Sequence, residues 1–231
     1  ISQFIIVFLA VTLALFADRY RESYAEKAKA KEIAQSVYND LKTDLNGIQQ
    51  TINDKSWIEA KYDSLADILA TKDVTDFNEF IYYVERYVSK SPVFESGDIN
   101  FEQFKTTGKN KDIENIKLKK DIAAYNALYD QYSASEKSYT TSDISLLNGI
   151  ESSLFNPSDL TNLDNPNNKD FRTLVLRPEQ KLQPIRRDVV YLKLLYIKVV
   201  NASKHTKSMK QVLEQQKVLG LNLIKDLEKQ Y

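Results

Sequence analysis

Cysteine is absent from this 231-residue sequence. That excludes disulfide bridges, thiol nucleophiles and thiolate metal sites, and it leaves the redox compartment open. Histidine occurs once, so any metal site would rest almost wholly on carboxylates, and no metal is expected. Glycine and proline are scarce, five of each. Few turns are enforced, and long helical runs stay uninterrupted. The 32 basic residues balance the 32 acidic ones, which leaves no basic footprint for nucleic acid. No glycine-rich phosphate loop and no nucleophile elbow is present.

What is present begins at the first residue. From Ile1 to Ala17 only Ser2, Gln3 and Thr12 interrupt an apolar run. At ~1.5 Å per residue the run is roughly 25 Å long, slightly short of a ~30 Å hydrocarbon core. The sequence opens on Ile rather than Met, and upstream residues are expected to complete the span. Phe4, Ile5, Ile6, Phe8, Leu9, Leu13, Leu15 and Phe16 are the expected lipid-facing anchor residues. Tyr20 and Tyr24, one helical turn apart, are expected at the membrane interface. A cleaved leader would need small residues at the last and third-last positions, and Leu15 fits poorly before Ala17. A soluble core helix would be amphipathic, whereas this stretch is apolar all round. Residues 1–17 are therefore expected to be a transmembrane anchor in contact with lipid. The following flank mixes Arg19, Arg21, Lys27, Lys29 and Lys31 with Asp18, Glu22, Glu26 and Glu32, so charge alone does not orient it.

The remaining residues, 18–231, have single-domain size and helical periodicity. Ile33, Val37, Leu41, Leu45, Ile48 and Ile52 form a stripe that resumes at Ile58, Tyr62, Leu65 and Leu69. This predicts one long helix over 18–71, with a break expected near Asn53-Asp54 and Gly47 tolerated inside it. Further long helices are predicted at about 75–90, 116–138 and 185–230, with shorter ones at 100–107 and 143–155. Residues 156–170 read as loop, and 171–176 as a strand or extended strap. Helices this long and this few predict an all-α fold: a transmembrane helix continuing into an elongated antiparallel bundle, the first and last helices side by side.

Residues 101–129 read FEQFKTTGKNKDIENIKLKKDIAAYNALY. The positions Phe104, Lys105, Thr106, Thr107, Gly108, Ile113, Asn115, Leu118, Tyr125 and Tyr129 carry a phrase that resembles a family of uncharacterised membrane-anchored proteins of Bacteroidota. The layout of an anchor running into a long charged helix is similar as well. The resemblance implies a short cytoplasmic N-terminus, one inner-membrane crossing and a periplasmic helical domain. It implies no activity. Read from the residues themselves, the phrase is a helix–turn–helix corner, with Gly108 ending one helix and Asn115 capping the next.

Candidate chemistry is sparse. His205 stands among Lys204, Thr206 and Lys207, which reads as a solvated helix face. Asp159, Asp164, Asn165, Asn167, Asn168 and Asp170 are rich in oxygen but lack calcium-loop spacing. Arg186 and Arg187 form a basic cluster, and Tyr82, Tyr83 and Tyr87 spread aromatic surface over more than one helix face; these five are the candidate partner-binding residues. No catalytic residue and no cofactor is expected. The sequence therefore points to a non-catalytic inner-membrane protein whose periplasmic domain is an accessory or scaffold subunit of a cell-envelope complex. Its partner would be a membrane protein complex or a second copy through the Ile33–Ile52 stripe. The alternative is a membrane-tethered sensor binding a small ligand between helices.

Overall fold

A computed structural model describes residues 2–71, 93–96, 116–141, 145, 149–150, 153 and 189–230. Three long helices make up nearly all of this: α1 (Ser2–Thr71), α2 (Ile116–Tyr139) and α3 (Val189–Gln230). The described residues form an all-α bundle. No break occurs near Asn53-Asp54, contrary to expectation. Asn and Asp end helices when their side chains compete for nearby backbone. Here Asn53 instead accepts a 2.9 Å hydrogen bond from Gln49 Nε2 one turn back, and Asp54 is buried. Thr51 and Ser56 likewise return their hydroxyls to the carbonyls of Gly47 and Ile52.

The chain divides into two compact units, and all three helices contribute to both. One comprises Gly47–Glu95 and Ala127–Lys217. Within it α1 and α3 run antiparallel. As α1 advances from Gln49 through Glu59 to Asp63, its partners on α3 step back from Lys217 through Lys210 to Ser203. Helix α2 runs in the same direction as α1 here: Lys55 meets Glu136, and Tyr62 and Tyr139 share one core cluster further along both helices. That cluster also holds Ile58, Leu65, Ile150, Leu195, Val199 and Ala202. Covering each such aliphatic side chain contributes about 1.5–3 kcal/mol. Gly47 has a packing reason to be Gly. A Cβ there would meet the ring of Phe94 at 3.2 Å, and Phe94 in turn sits edge-on to Tyr129.

The other unit comprises Ile1–Asn46, Ser96–Asn126 and Val218–Tyr231. The predicted stripe packs inside it: Ile33, Val37 and Leu41 are buried with Leu118, Ile122, Leu223 and Leu227. Asp44 is also buried, and one of its oxygens accepts from both Tyr125 Oη at 3.1 Å and Ser96 Oγ at 2.7 Å. Gly220 lies where α3 comes close to Leu45 and Tyr125. Ile33 is the first described buried residue. From Gln3 to Glu32 every described side chain is exposed except Thr12, which is partly covered.

Helix α2 matches the predicted 116–138 helix to within one residue. Positions 145, 149–150 and 153 are helical, as predicted for 143–155. The predicted helices at 75–90 and 100–107, the corner at Gly108, the loop 156–170 and the strap 171–176 lie outside the described residues. The stripe Ile33–Ile52, considered for pairing with a second copy, is taken up largely inside the chain.

Candidate functional site

Three charged or titratable side chains from three helices converge within the unit that contains Gly47–Glu95. Lys55 Nζ donates to Glu136 Oε1 at 2.7 Å, with side-chain exposures of 0% and 3%. His205 Nε2 lies 3.5 Å from the same oxygen. Its ring stacks on Tyr139, centroids 4.1 Å apart and planes 9° from parallel. Tyr132 completes the surround: Lys55 Nζ is 5.6 Å from its ring centroid, within cation–π range. The Tyr132 hydroxyl accepts a hydrogen bond from the backbone N–H of Phe94 at 3.0 Å.

Helical phase puts these residues inside. Lys55 follows Ile52 and precedes Ile58 by three residues each way, so it falls in the apolar stripe. Glu136 continues the run Tyr125, Tyr129, Tyr132 and ends in Tyr139, alternating four and three. His205 lies between buried Ala202 and Met209, beside buried Thr206. Lys55 and Glu136 are not among the residues singled out from the sequence. The available signal was that each stands in phase with a stripe.

Burial dominates the electrostatics. It lowers the Lys55 ammonium below the usual lysine range, against the opposing pull of Glu136. Burial also pushes Glu136 upward, but His205 and Lys55 together outweigh it, and the carboxyl sits below its ordinary value. Tyr62 is held well above the usual phenol range by burial, with Tyr139 and Glu136 adding to it. Tyr132 is raised by burial and by Glu136, against the hydrogen bond from Phe94. A salt bridge of this kind is costly to desolvate and costly to break, and its best-attested use is to specify which elements meet in which register. Lys55 has no access to solvent, so the arrangement suits positioning better than attack on a substrate.

A second polar row joins α1 to α3 beside this centre. Glu59 takes Lys210 at 2.6 Å and Lys207 at 3.3 Å, and Ser203 donates to Asp63 at 2.6 Å. Gln216 is fully buried, and neither amide atom has a hydrogen-bond partner among the described residues.

The expectation of a solvated His205 is corrected. Its side chain is 17% exposed and clamped between Glu136 and Tyr139. The sequence neighbours Lys204 and Lys207 are exposed, but consecutive helix positions point in different directions. The anchor candidates Phe4, Ile5, Ile6, Phe8, Leu9, Leu13, Leu15 and Phe16 are all at least half exposed, as are Tyr20 and Tyr24. Gln3–Ala25 is one helical stretch long and apolar enough to cross a membrane, and none of it is buried. The candidate partner-binding residues Tyr82, Tyr83, Tyr87, Arg186 and Arg187, and the oxygen-rich loop, lie outside the described residues. Among the described residues no group of three or more His, Asp or Glu is placed to hold a metal ion. No family model, no curated protein and no solved structure matches this chain.

Proposed function

We propose that this chain is a non-catalytic, single-pass inner-membrane protein whose helical domain stands in the periplasm as an accessory or scaffold subunit of a cell-envelope complex. The observation that carries the reading is the bare apolar helix at the start of α1, continuous with a helix whose later turns are packed. Its 23 residues, Gln3–Ala25, extend about 35 Å, enough for a ~30 Å hydrocarbon core. Thr12 supports lipid exposure. Its hydroxyl donates to the Phe8 carbonyl at 2.7 Å and so is satisfied within the helix, as hydrocarbon requires. Tyr20 and Tyr24 then fall where charges begin, at the headgroup level. The periplasmic orientation is taken from the resemblance to membrane-anchored proteins of Bacteroidota, and the covered Lys55–Glu136 pair agrees with a scaffold.

The first experiment is mild detergent extraction of the tagged full chain from its native membrane, followed by size analysis and mass spectrometry of co-purifying proteins. A reproducible stoichiometric partner is expected. A lone monomer would overturn the accessory-subunit reading and favour a tethered sensor. Release of the chain by alkaline carbonate would overturn the anchor.

A further inference from the structure

The unit that holds the apolar helix also holds a cleft between the first turns of α2 and the last turns of α3. Its volume is about 380 Å³, within the range of small-molecule sites. Helix α3 lines it with Asn222, Lys225, Asp226 and Lys229, at the three- and four-residue intervals that share a helix face. Helix α2 adds Lys117 and Asp121, and Leu219 supplies an apolar wall. Both acids are engaged: Lys117 Nζ donates to Asp121 Oδ2 at 2.8 Å and also to Asp226 Oδ2. Lys117, and after it Lys229, hold the Asp226 carboxyl below its ordinary value. Lys225 and Lys229 are exposed one turn apart, and neither forms an ion pair among the described residues. Three lysines against two aspartates leave the cleft positive, with the surplus on α3 beside the Asn222 amide. Lysine ammoniums bind phosphate as point charges, whereas planar carboxylates are best matched by an arginine fork, and no arginine lines the cleft. We propose that this cleft binds a phosphate-bearing small molecule, with Lys225, Lys229 and the Asn222 amide donating to the phosphoryl oxygens and the remainder lying along Leu219.

The height of the cleft favours a ligand from the aqueous side; this step alone rests on Gln3–Ala25 as the membrane span. Tyr38 Oη donates to Glu228 at 3.1 Å, so this end of α3 stands level with Tyr38. Tyr38 lies about 20 Å along α1 beyond Ala25. Headgroups add only about 5–8 Å outside the hydrocarbon, and a tilt of about 40° lowers the cleft only to about 15 Å. The phosphate of an ordinary phospholipid stays below it.

The test titrates inorganic pyrophosphate into the full chain in neutral detergent at low ionic strength, read by calorimetry, with helix content of every variant checked by circular dichroism. Saturable binding is expected. It should weaken about tenfold or more in Lys225→Gln/Lys229→Gln and in Asn222→Asp, which sets a carboxylate among the donors. Lys61→Gln/Lys204→Gln removes the same charge from exposed positions elsewhere and should leave the affinity nearly unchanged. No saturable binding, or an equal loss in both lysine pairs, overturns the site. These titrations do not depend on the anchor, which alkaline carbonate tests separately. In nanodiscs of phosphatidylcholine and of phosphatidylglycerol the ratio of wild-type to Lys225→Gln/Lys229→Gln affinity should be the same. A ratio that collapses in phosphatidylglycerol means that the lipid headgroup fills the cleft, and overturns the aqueous source.

Discussion

Lys55 and Glu136 meet at 2.7 Å across 81 residues of sequence, with side chains 0% and 3% exposed. The pair joins the first helix to the second beside a core cluster of aliphatic and tyrosine side chains, among other buried polar groups that include Asp54, Thr206 and Gln216. Its energetics are asymmetric. Removing one partner leaves an uncompensated buried charge, whereas replacing both removes the desolvation cost as well.

Lys55→Ala or Glu136→Ala should therefore destabilise the helical domain by about 3–5 kcal/mol. Lys55→Met combined with Glu136→Leu should recover most of that loss or exceed wild-type stability. Urea titration followed by Trp57 fluorescence measures both. A double variant no better than the singles would mean that packing, and not charge, sets the cost.

Acid should weaken the domain through Glu136. Its folded carboxyl lies below its ordinary value of 4.5, so the folded state binds fewer protons than the unfolded chain in the window between the two. The contribution is complete above about pH 4.5 and is lost as pH falls through the lower, folded value. Stability measured across this window should fall less steeply in Lys55→Met/Glu136→Gln than in wild type. Equal slopes would remove Glu136 from the acid limb.

Gly220 is a close-approach glycine. A Cβ there would lie 3.0 Å from Leu45 Cδ2 and 3.1 Å from Tyr125 Cε2. Tyr125 is buried and its hydroxyl is held by Asp44, so it yields little. Alanine gains about 1 kcal/mol in helix propensity, but the overpacking costs about 1–3 kcal/mol. Gly220→Ala should be neutral to destabilising, and Gly220→Val strongly destabilising. At Gly149, helical and with nothing within 4 Å of an added Cβ, alanine should stabilise by about 0.4–1 kcal/mol. Thermal unfolding monitored by circular dichroism separates the two sites.

Gln216 is the weak point of the buried face of α3. Its amide is fully covered, with neither polar atom partnered among the described residues. An unsatisfied buried polar group costs about 1–3 kcal/mol. Gln216→Met, close in shape and without that demand, should stabilise the domain by about 1–2 kcal/mol in denaturant unfolding. A loss of stability would show that the amide is satisfied by a bound water.

Much of the architecture is legible in the sequence. The stripe from Ile33 to Leu65 is an effect of helical period, and period survives whatever the helix packs against. Ile116 as a helix start, the covered faces of α2 and α3, and the exposed apolar run from Phe4 to Phe16 follow from the same local rule. The break expected at Asn53-Asp54 failed because a local propensity was outweighed by an i,i+4 side-chain bond and by burial. The candidate site was not legible. The sequence neighbours of His205 point away from it on a helix, and nothing local to Lys55 or Glu136 marks the other as its partner.

The sequence by itself determined that the described chain is helical, which faces of its helices are apolar, and that one stretch is long and apolar enough to cross a membrane. Each of these depends on residues within a few turns of one another. Tertiary structure alone decided that α2 runs with α1 and against α3, that Glu136 is the residue to meet Lys55, and that one imidazole edge closes on the same oxygen. Those facts depend on the sliding register between helices, and register is set by the joint packing of large side chains far apart in the chain.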